Sequence, residues 1–333
     1  MNVIIPVAGL GTRLRPHTWS RPKPLVSVAG KPMLGHVLDR LSKLTLDRVV
    51  FVTGYLGEQI EQFVRENYTF DAAFVPQADP RGQSDAIVRA RGQIAGPTLI
   101  LFPDMLFEAD IEALDQAVFD GAIFVKQVAD PRRFGVVVVD GDSKVKRFVE
   151  KPAEPISDLA IMGIYYVKEV RKLFDAIDEQ MQRNIQTKDE FFLADALQLM
   201  IDKGFDFRAL PASEWEDCGT TTALLSTNRY MLSRNLETPD IPGSVIVPPV
   251  FIHPTATVHN SLIGPYASLG ANVVIENAIV RDSIIDNGAH IESAMLTTSI
   301  VGRDAFVRGE PLRVNVGDSA DIDLRSTVEN GRD

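Results

Sequence analysis

Hydrophobic and polar positions in the first part of the chain follow two alternating spacings. Short apolar runs rich in β-branched residues occur at 3–7, 49–53, 73–76 and 98–102. Longer runs with helical spacing lie between them, at 33–44, 58–67 and 84–91. Strands that alternate with helices in this way predict a layered β/α domain with a largely parallel sheet.

The spacing changes between residues 122 and 167, where apolar segments follow one another closely. The predicted strands of this region cover 122–128, 134–139, 145–150 and 161–167. Because no helical run separates them, we expect these strands to extend the same sheet as antiparallel additions. Helical periodicity then returns at 170–182, 190–203 and 221–233, before a turn-rich segment at 237–243.

Beyond this segment, apolar residues recur every five or six positions, with Gly, Asn, Asp and small residues between them. They are Ile252, Val258, Ile263, Leu269, Ile275, Val280, Ile285, Ile291, Leu296, Val301 and Val307. That period fits neither a helix nor an alternating strand, and it predicts hexapeptide repeats wound into a left-handed parallel β-helix. Ser283 and Ser299 are sixteen residues apart, close to one coil of three short faces. A string of β-hairpins is the alternative.

These patterns together predict an α/β chain of two parts. A Rossmann-like domain with a mixed sheet comes first, and a small left-handed parallel β-helix follows it. The expected boundaries are a catalytic domain at 1–236, a linker at 237–248, the repeat region at 249–325 and a polar tail at 326–333.

Composition narrows the classes of function. The chain has 333 residues, with 34 Lys and Arg against 45 Asp and Glu, a formal charge of -11 that argues against broad attraction to nucleic acid or an anionic membrane. No apolar run approaches the roughly 20 residues of a membrane-spanning helix. The single cysteine, Cys218, and an N-terminus without signal-peptide features predict a cytoplasmic protein.

The most informative stretch follows the first predicted strand. Its glycines, Gly9 and Gly11, let backbone N–H groups approach phosphate oxygens. A dinucleotide-binding loop would need Gly or Ala where Leu14 stands, and no Gly-Lys-Ser or Gly-Lys-Thr of a P-loop follows. Arg13 lies directly on the loop and Lys23 follows ten residues later in a proline-stiffened segment. Two fixed cations beside a phosphate-binding loop suit phosphoryl chemistry.

The run Gly9-Leu10-Gly11-Thr12-Arg13, followed by Pro22-Lys23, resembles the opening motif of the sugar-1-phosphate nucleotidylyltransferases. Parts of it are similar to UTP:glucose-1-phosphate uridylyltransferases and parts to long glucose-1-phosphate thymidylyltransferases. Matching motifs continue along the chain at Gln77, 82–86, 102–104, 134–136, 150–152, 163–165, Glu190, Asp195 and 215–220. The resemblance implies an enzyme whose first domain is a nucleotidyltransferase. It would transfer a nucleotidyl group from an NTP, with dTTP or UTP favoured, to a sugar 1-phosphate, with glucose 1-phosphate favoured, and release pyrophosphate and an NDP-sugar.

The resemblance also implies roles for individual residues. Arg13 and Lys23 would be the catalytic cations, and Asp104 and Asp217 would bind Mg²⁺. The nucleotide-binding residues would be Ala8, Gly9, Leu10, Gly11, Thr12, Arg13, Gln77, Gly82 and Asp104. The sugar-phosphate-binding residues would be Gly135, Glu150, Lys151 and Gly163. Independently of the resemblance, Asp104 follows the apolar run 98–102, at the end of a parallel strand where ligands of open α/β sheets bind.

Two other readings stay open. A non-catalytic regulatory homologue would bind nucleotides or sugar nucleotides, although such a protein is expected to lose some of the site residues. A bifunctional enzyme could use His253, His259 or His290 of the repeat region in an acyltransferase tail. The expected partners are the NTP, the sugar 1-phosphate and copies of the same chain in a dimer or tetramer, with no nucleic acid and no membrane.

Overall fold

The computed structural model describes residues 1–132, 134–154, 156–234 and 239–310. The strands of the large domain are β1 (Asn2–Val7), β2 (Ser27–Val28), β3 (Lys31–Pro32), β4 (Arg48–Thr53), β5 (Ala72–Pro76), β6 (Thr98–Leu101), β7 (Met105–Glu108), β8 (Gly121–Gln127), β9 (Gly135–Val139), β10 (Val145–Glu150), β11 (Leu159–Val167), β12 (Phe207–Pro211) and β13 (Glu214–Asp217). The α-helices are α1 (Met33–Leu41), α2 (Gly57–Asn67), α3 (Gln83–Val88), α4 (Val170–Gln182), α5 (Leu193–Asp202) and α6 (Thr221–Leu232). Short 3₁₀ helices span Thr12–Leu14, Lys23–Leu25 and Glu112–Gln116.

Most of these strands form one mixed sheet in the order β10-β9-β11-β6-β1-β4-β5, with β8 beside β11 and β12 beside β8. Strands β6, β1, β4 and β5 are parallel. Strands β9, β10 and β11 join the sheet in antiparallel fashion. The Rossmann-like mixed sheet and its antiparallel additions, both predicted from the sequence, are confirmed.

Helices cover both faces of the sheet, which explains why its central strands are apolar throughout. Side chains of β1 alternate between two cores, with Val3 and Ile5 in one and Ile4 in the other. All three are fully buried. Helices α1 and α2 contribute to the first core, and α4 and α5 to the second. The carboxyl ends of the parallel strands stay uncovered by this packing and form the edge where the site lies.

Two strands of four residues, β7 and β13, form a separate antiparallel pair that the sequence pattern does not predict. Strand β7 begins directly after Asp104, and β13 ends at Asp217, whose Cα partner is Met105. Segments so far apart in the chain pair without any local periodicity, so a single sequence carries no signal for them. The pairing brings the ends of two sequence motifs together.

The repeat region is wound into three parallel sheets, β14-β17-β20-β23, β15-β18-β21-β24 and β16-β19-β22-β25. Their strands are β14 (Val245–Ile246), β15 (Val250–Ile252), β16 (Thr257–His259), β17 (Leu262–Ile263), β18 (Ala267–Leu269), β19 (Val274–Glu276), β20 (Ile279–Arg281), β21 (Ile284–Ile285), β22 (His290–Glu292), β23 (Met295–Thr297), β24 (Ile300–Val301) and β25 (Phe306–Arg308). This arrangement is consistent with the predicted left-handed β-helix and excludes the string of hairpins, since the strands pair in parallel.

One aliphatic residue per face points inward, as the spacing predicts. Residues such as Ile263, Ile275 and Ile291 are fully buried in the core of the β-helix. Corner residues such as Asn277 and Asp282 have positive φ, the left-handed conformation that Asn and Asp tolerate. Each coil therefore repeats the same inward side chain and the same tight corner.

The first strand of the β-helix, β14, begins at Val245, inside the range 237–248 that the sequence pattern assigns to the linker. The end of the predicted repeat region and the predicted tail 326–333 lie outside the described residues. Across the described ranges, no helix is both long and apolar enough to cross a membrane.

Candidate active site

A cleft of about 560 Å³ opens at the carboxyl ends of β1, β5 and β6. We call it the central cleft. All of the predicted nucleotide-binding and catalytic residues line it, together with ten others. They are Pro6, Val7, Ala8, Gly9, Leu10, Gly11, Thr12, Arg13, Lys23, Pro24, Gln77, Pro80, Gly82, Gln83, Ala86, Phe102, Pro103, Asp104, Glu190 and Gly219. The edge of a parallel sheet is where ligands of α/β proteins bind.

The glycine-rich loop that follows β1 packs closely against the lysine-bearing segment. Gly11 has φ +63°, and a Cβ added there would lie 2.9 Å from Cβ of Lys23. The hydroxyl of Thr18 donates a hydrogen bond of 2.8 Å to the carbonyl of Gly11. Only glycine combines this backbone conformation with so close an approach. The second glycine of the motif therefore sets the distance between the loop and Lys23.

Lys23 and Asp104 meet across the central cleft. The Nζ atom of Lys23 lies 3.1 Å from Oδ2 of Asp104. Lys23 begins a 3₁₀ helix whose Pro24 and Leu25 are buried, and its side chain is only 13 % exposed. Asp104 follows β6 and is more open, with 39 % of its side chain exposed. A largely desolvated cation thus lies within hydrogen-bond reach of an accessible carboxylate.

Arg13 lines the same cleft beside the glycine-rich loop and is exposed. Across residues 1–132, 134–154, 156–234 and 239–310, its guanidinium has no carboxylate partner. A guanidinium that is always charged and is not neutralised by a neighbouring acid attracts phosphate strongly. The two predicted cations therefore share one cleft, with one paired to an acid and the other open to a ligand.

The backbone places Asp217 beside Asp104. Strand β13 pairs with β7, and the N–H of Cys218 donates a 3.0 Å hydrogen bond to the carbonyl of Asp104. The side chain of Asp217 lies outside the described part of the structure. In the part that is described, no group of three or more His, Cys, Asp and Glu side chains could hold a metal ion. A divalent ion here would need ligand oxygens from a substrate as well as from the protein.

Gln77 is fixed at one end of the central cleft. Its backbone N–H donates to the carbonyl of Thr53 at 2.7 Å, and its Nε2 donates to Oδ2 of Asp85 at 2.7 Å. Burial acts to raise the pKa of Asp85, but hydrogen bonds from Gln77 and Arg81 and the charge of Arg89 hold that pKa below its usual value. A charged Asp85 orients the Gln77 amide so that its oxygen is free to accept a further hydrogen bond.

Asp85 was not among the predicted site residues. The signal that could have found it is the spacing of Arg81, Asp85 and Arg89, which are four residues apart and share one side of a helical turn. Gly82 opens this turn with φ +119°, and a Cβ there would lie 2.6 Å from the backbone nitrogen of Phe191. Gly82 is thus required for close packing as well as for exposure of the backbone to the cleft.

The residues predicted to hold the sugar phosphate form a second group along β9, β10 and β11. Gly135 lies opposite Glu150, and a Cβ at Gly135 would lie 2.7 Å from Oε2 of that glutamate. Lys151 has its Nζ 3.6 Å from Oε1 of Glu150 and 4.9 Å from the centre of the Phe192 ring. Burial raises the pKa of Glu150, although the charge of Lys151 acts against this. These three residues do not line the central cleft.

Gly163 and Tyr165 join the two groups. Gly163 has φ +69°, and its carbonyl accepts a 3.0 Å hydrogen bond from the N–H of Phe102 in the central cleft. Tyr165 is buried, and burial raises the pKa of its hydroxyl, with further contributions from the charges of Glu150 and Asp104. The ring of Tyr165 lies 6.1 Å from that of Phe102, which lines the central cleft. The sugar-phosphate group and the central cleft are neighbouring parts of one site.

The chain is similar to known proteins over most of its length. A family model described as nucleotidyl transferase matches residues 2–234. A glucose-1-phosphate thymidylyltransferase of Streptomyces griseus is 29 % identical, over 93 % of this chain and 94 % of the relative. A bifunctional protein GlmU of Methanocaldococcus jannaschii is 28 % identical, over 95 % of this chain and 84 % of the relative.

A crystal structure of UDP-glucose pyrophosphorylase complexed with UDP-glucose has a TM-score of 0.63. At 19 % identity it covers 70 % of this chain and 99 % of its own, which shows a shared fold. The resemblance drawn from the sequence motifs is confirmed by the family model, which spans the whole of the large domain up to α6. This chain belongs to the nucleotidyl transferase family.

Proposed function

We propose that the protein transfers a nucleotidyl group from dTTP or UTP to a sugar 1-phosphate, with glucose 1-phosphate as the favoured acceptor. Pyrophosphate and an NDP-sugar are the products. The observation that carries the proposal is the 3.1 Å contact of Lys23 with Asp104 in the cleft that the glycine-rich loop also lines. The names of two relatives, both glucose-1-phosphate thymidylyltransferases, support a nucleotide and a sugar phosphate as substrates.

The reaction is a direct displacement. An oxygen of the sugar phosphate attacks the α-phosphorus of the NTP, and pyrophosphate leaves in line, so no protein nucleophile is needed. Lys23 steadies the α-phosphate and the attacking phosphate, and Arg13 binds the departing pyrophosphate. Backbone N–H groups of residues 8–12 hold the triphosphate in place.

Asp104 and Asp217 would hold a divalent cation, which we propose to be Mg²⁺. The donor set suits this ion, since Mg²⁺ is bound by one or two carboxylates and completes its octahedron with phosphate oxygens and water. When bound, the ion offsets negative charge on the non-bridging phosphate oxygens. Asp104 also lies 3.1 Å from Lys23, so the proposed metal ligand and the proposed catalytic cation are neighbours.

The two ends of the site divide the substrates between them. We assign Gln77 and Gly82 to the base, and Gly135, Glu150, Lys151 and Gly163 to the sugar 1-phosphate. Glu150 is held between Gly135 and Lys151, so that its carboxylate can accept hydrogen bonds from sugar hydroxyls while the ammonium of Lys151 binds the phosphate.

A matrix of substrates tests this function. Pyrophosphate release is measured with UTP, dTTP, GTP, ATP and CTP against a panel of sugar 1-phosphates, with Mg²⁺ and with EDTA. We expect release that requires both a sugar 1-phosphate and the divalent ion, and that is fastest with dTTP or UTP. Release that is independent of every sugar 1-phosphate, or no release at all, would contradict the proposal.

The alternatives differ in what supports them. A non-catalytic homologue has no support, because Arg13, Lys23, Asp104, Lys151 and Asp217 are all retained. A second activity in the β-helix is favoured by the relatives named as bifunctional proteins. His290 would be a candidate residue, since its Nε2 lies 3.2 Å from Oε2 of Glu276. Turnover of acetyl-CoA by the same protein tests this candidate. The domain limits, the cytoplasmic location and the dimer or tetramer stay predictions.

A further inference from the structure

The segment that carries Lys23 lies between the central cleft and the β-helix. We call residues 16–30 the lysine segment. Ile284 of β21 is part of the first core of the large domain, and Ile300 of β24 packs against it. A Cβ at Gly30, which ends the lysine segment, would collide with the ring of Phe251 in β15. One sheet of the β-helix is therefore packed against the same segment that supplies the catalytic cation.

Arg21 makes a charged contact across this interface. Its guanidinium donates to the carboxylate of Asp286, which follows β21. Arg21 is only 8 % exposed, and the side chain of Asp286 is 14 % exposed. A guanidinium removed from water to this extent requires a charged partner, because an unpaired buried charge is costly. The other carboxylate oxygen of Asp286 accepts the N–H of Asn287, so the acid itself is held on the corner of its coil.

A second contact fixes the far end of the lysine segment. Asn228 of α6 is fully buried, and its Oδ1 accepts hydrogen bonds from the N–H of Ala29 at 2.9 Å and the hydroxyl of Ser268 at 2.6 Å. Its Nδ2 donates to the carbonyl of Tyr266 at 3.1 Å. Helix α6 begins four residues after Asp217. The side chain of Asn228 therefore connects this helix to both the lysine segment and the β-helix.

We propose that Arg21 is a positioning residue, and that its ion pair with Asp286 holds the lysine segment so that Lys23 meets the α-phosphate. The β-helix would then help to set the geometry of the transfer site, although it is a separately folded unit. Pro22 and Pro24 flank Lys23 and fix φ on either side of it, so a shift at Arg21 is passed on to Lys23 rather than absorbed between them. This inference rests on the proposed nucleotidyl transfer.

The test compares Asp286→Asn and Arg21→Gln with wild type in the full chain. We expect kcat to fall about tenfold in each, since a misplacement of about 1 Å costs up to roughly a hundredfold. KM for both substrates should stay within about twofold, because Lys23 acts mainly in the transition state. The double variant should be no slower than either single variant, because both remove one interaction. Arg21→Lys should recover part of the loss.

The matched control is Arg229→Gln. Arg229 of α6 pairs with Asp282 across the same interface, and neither member of this ion pair belongs to the lysine segment. We expect its kcat to stay within about twofold of wild type. An equal loss in Arg229→Gln and Asp286→Asn would show a general effect of the interface and overturn the proposal. Wild-type kcat in folded Asp286→Asn, or losses that multiply in the double variant, would also overturn it.

Amide hydrogen exchange gives a readout that needs no substrate. In Asp286→Asn, the exchange of residues 16–30 should become at least about tenfold faster, whereas that of α4 should not change. Unchanged exchange in the lysine segment would contradict the positioning role whether or not the protein transfers nucleotides. If wild type releases no pyrophosphate while exchange behaves as expected, the proposed reaction fails and the contact between the segment and the β-helix stands.

Discussion

The β-helix and the central cleft are both built from short segments, but they depend on the sequence in different ways. In the β-helix, each strand pairs with one about sixteen or seventeen residues away, and every coil repeats one inward side chain. In the cleft, Lys23 and Asp104 come from distant segments and meet through side chains, and Asp217 joins them through the β7–β13 pair. Local repetition can be read from one sequence, whereas a convergent site depends on pairings that leave no periodic signal.

Removing one charge from the cleft should have the largest effect. Asp104→Asn keeps the size and shape of the side chain but deletes the carboxylate opposite Lys23 and the proposed Mg²⁺ ligand. We expect kcat to fall about a thousandfold, comparable to the loss of a strong electrostatic contribution to the transition state. Asp175→Asn, on the exposed side of α4, is the control and should retain wild-type turnover. If Asp104→Asn is fully active and its circular dichroism spectrum shows that it is folded, Asp104 has no role in the reaction.

Truncating one inward side chain tests how much the repeated aliphatic position stabilises the β-helix. Ile275 is fully buried in the β-helix, and Ile275→Ala should reduce the free energy of unfolding by about 2–5 kcal/mol. Urea unfolding measures this loss. Arg308→Ala is the control, because Arg308 is exposed and pairs with Glu292 at the surface, where such pairs contribute about 1 kcal/mol or less. Equal and small effects would mean that the repeated aliphatic position does not stabilise the coils.

The same contrast explains what the sequence could predict. The buried strands of the sheet, the coil length and the glycine-rich loop all have local signatures, and each was predicted from residues that lie close together. The β7–β13 pair was not predicted, nor were Asp85 behind Gln77 and Arg21 against Asp286. The β7–β13 pair and the contact of Arg21 with Asp286 join distant segments, and their cause is the packing of whole elements rather than the pattern within one. Asp85 differs from them, because the spacing of Arg81, Asp85 and Arg89 is a local signal.

The smallest effect concerns the sugar-phosphate end. Burial raises the pKa of Glu150 above its usual 4.5, so the folded protein binds this proton more tightly than the unfolded chain. The stabilisation is fully present below pH 4.5 and is lost as pH rises through the folded pKa. The stability of wild type relative to Glu150→Gln should therefore fall as pH rises above 4.5. Urea unfolding across pH measures the difference.

Glu154→Gln is the control for this series, because Glu154 is exposed and close by in the chain. Its stability should run parallel to that of wild type at every pH. If the stability of Glu150→Gln also runs parallel to that of wild type at every pH, the burial of Glu150 does not affect its protonation. That result would contradict the raised pKa of Glu150.

The central claim is that Lys23 and Asp104 act as one unit on one phosphate. A double-mutant cycle in kcat for pyrophosphate release tests it with Lys23→Ala, Asp104→Asn and the double variant. Lys23→Ala alone should lower kcat by at least roughly a hundredfold, and the double variant should be about as slow as the slower single variant. Near-normal turnover of Lys23→Ala, or losses that multiply in the double variant, would contradict a shared site.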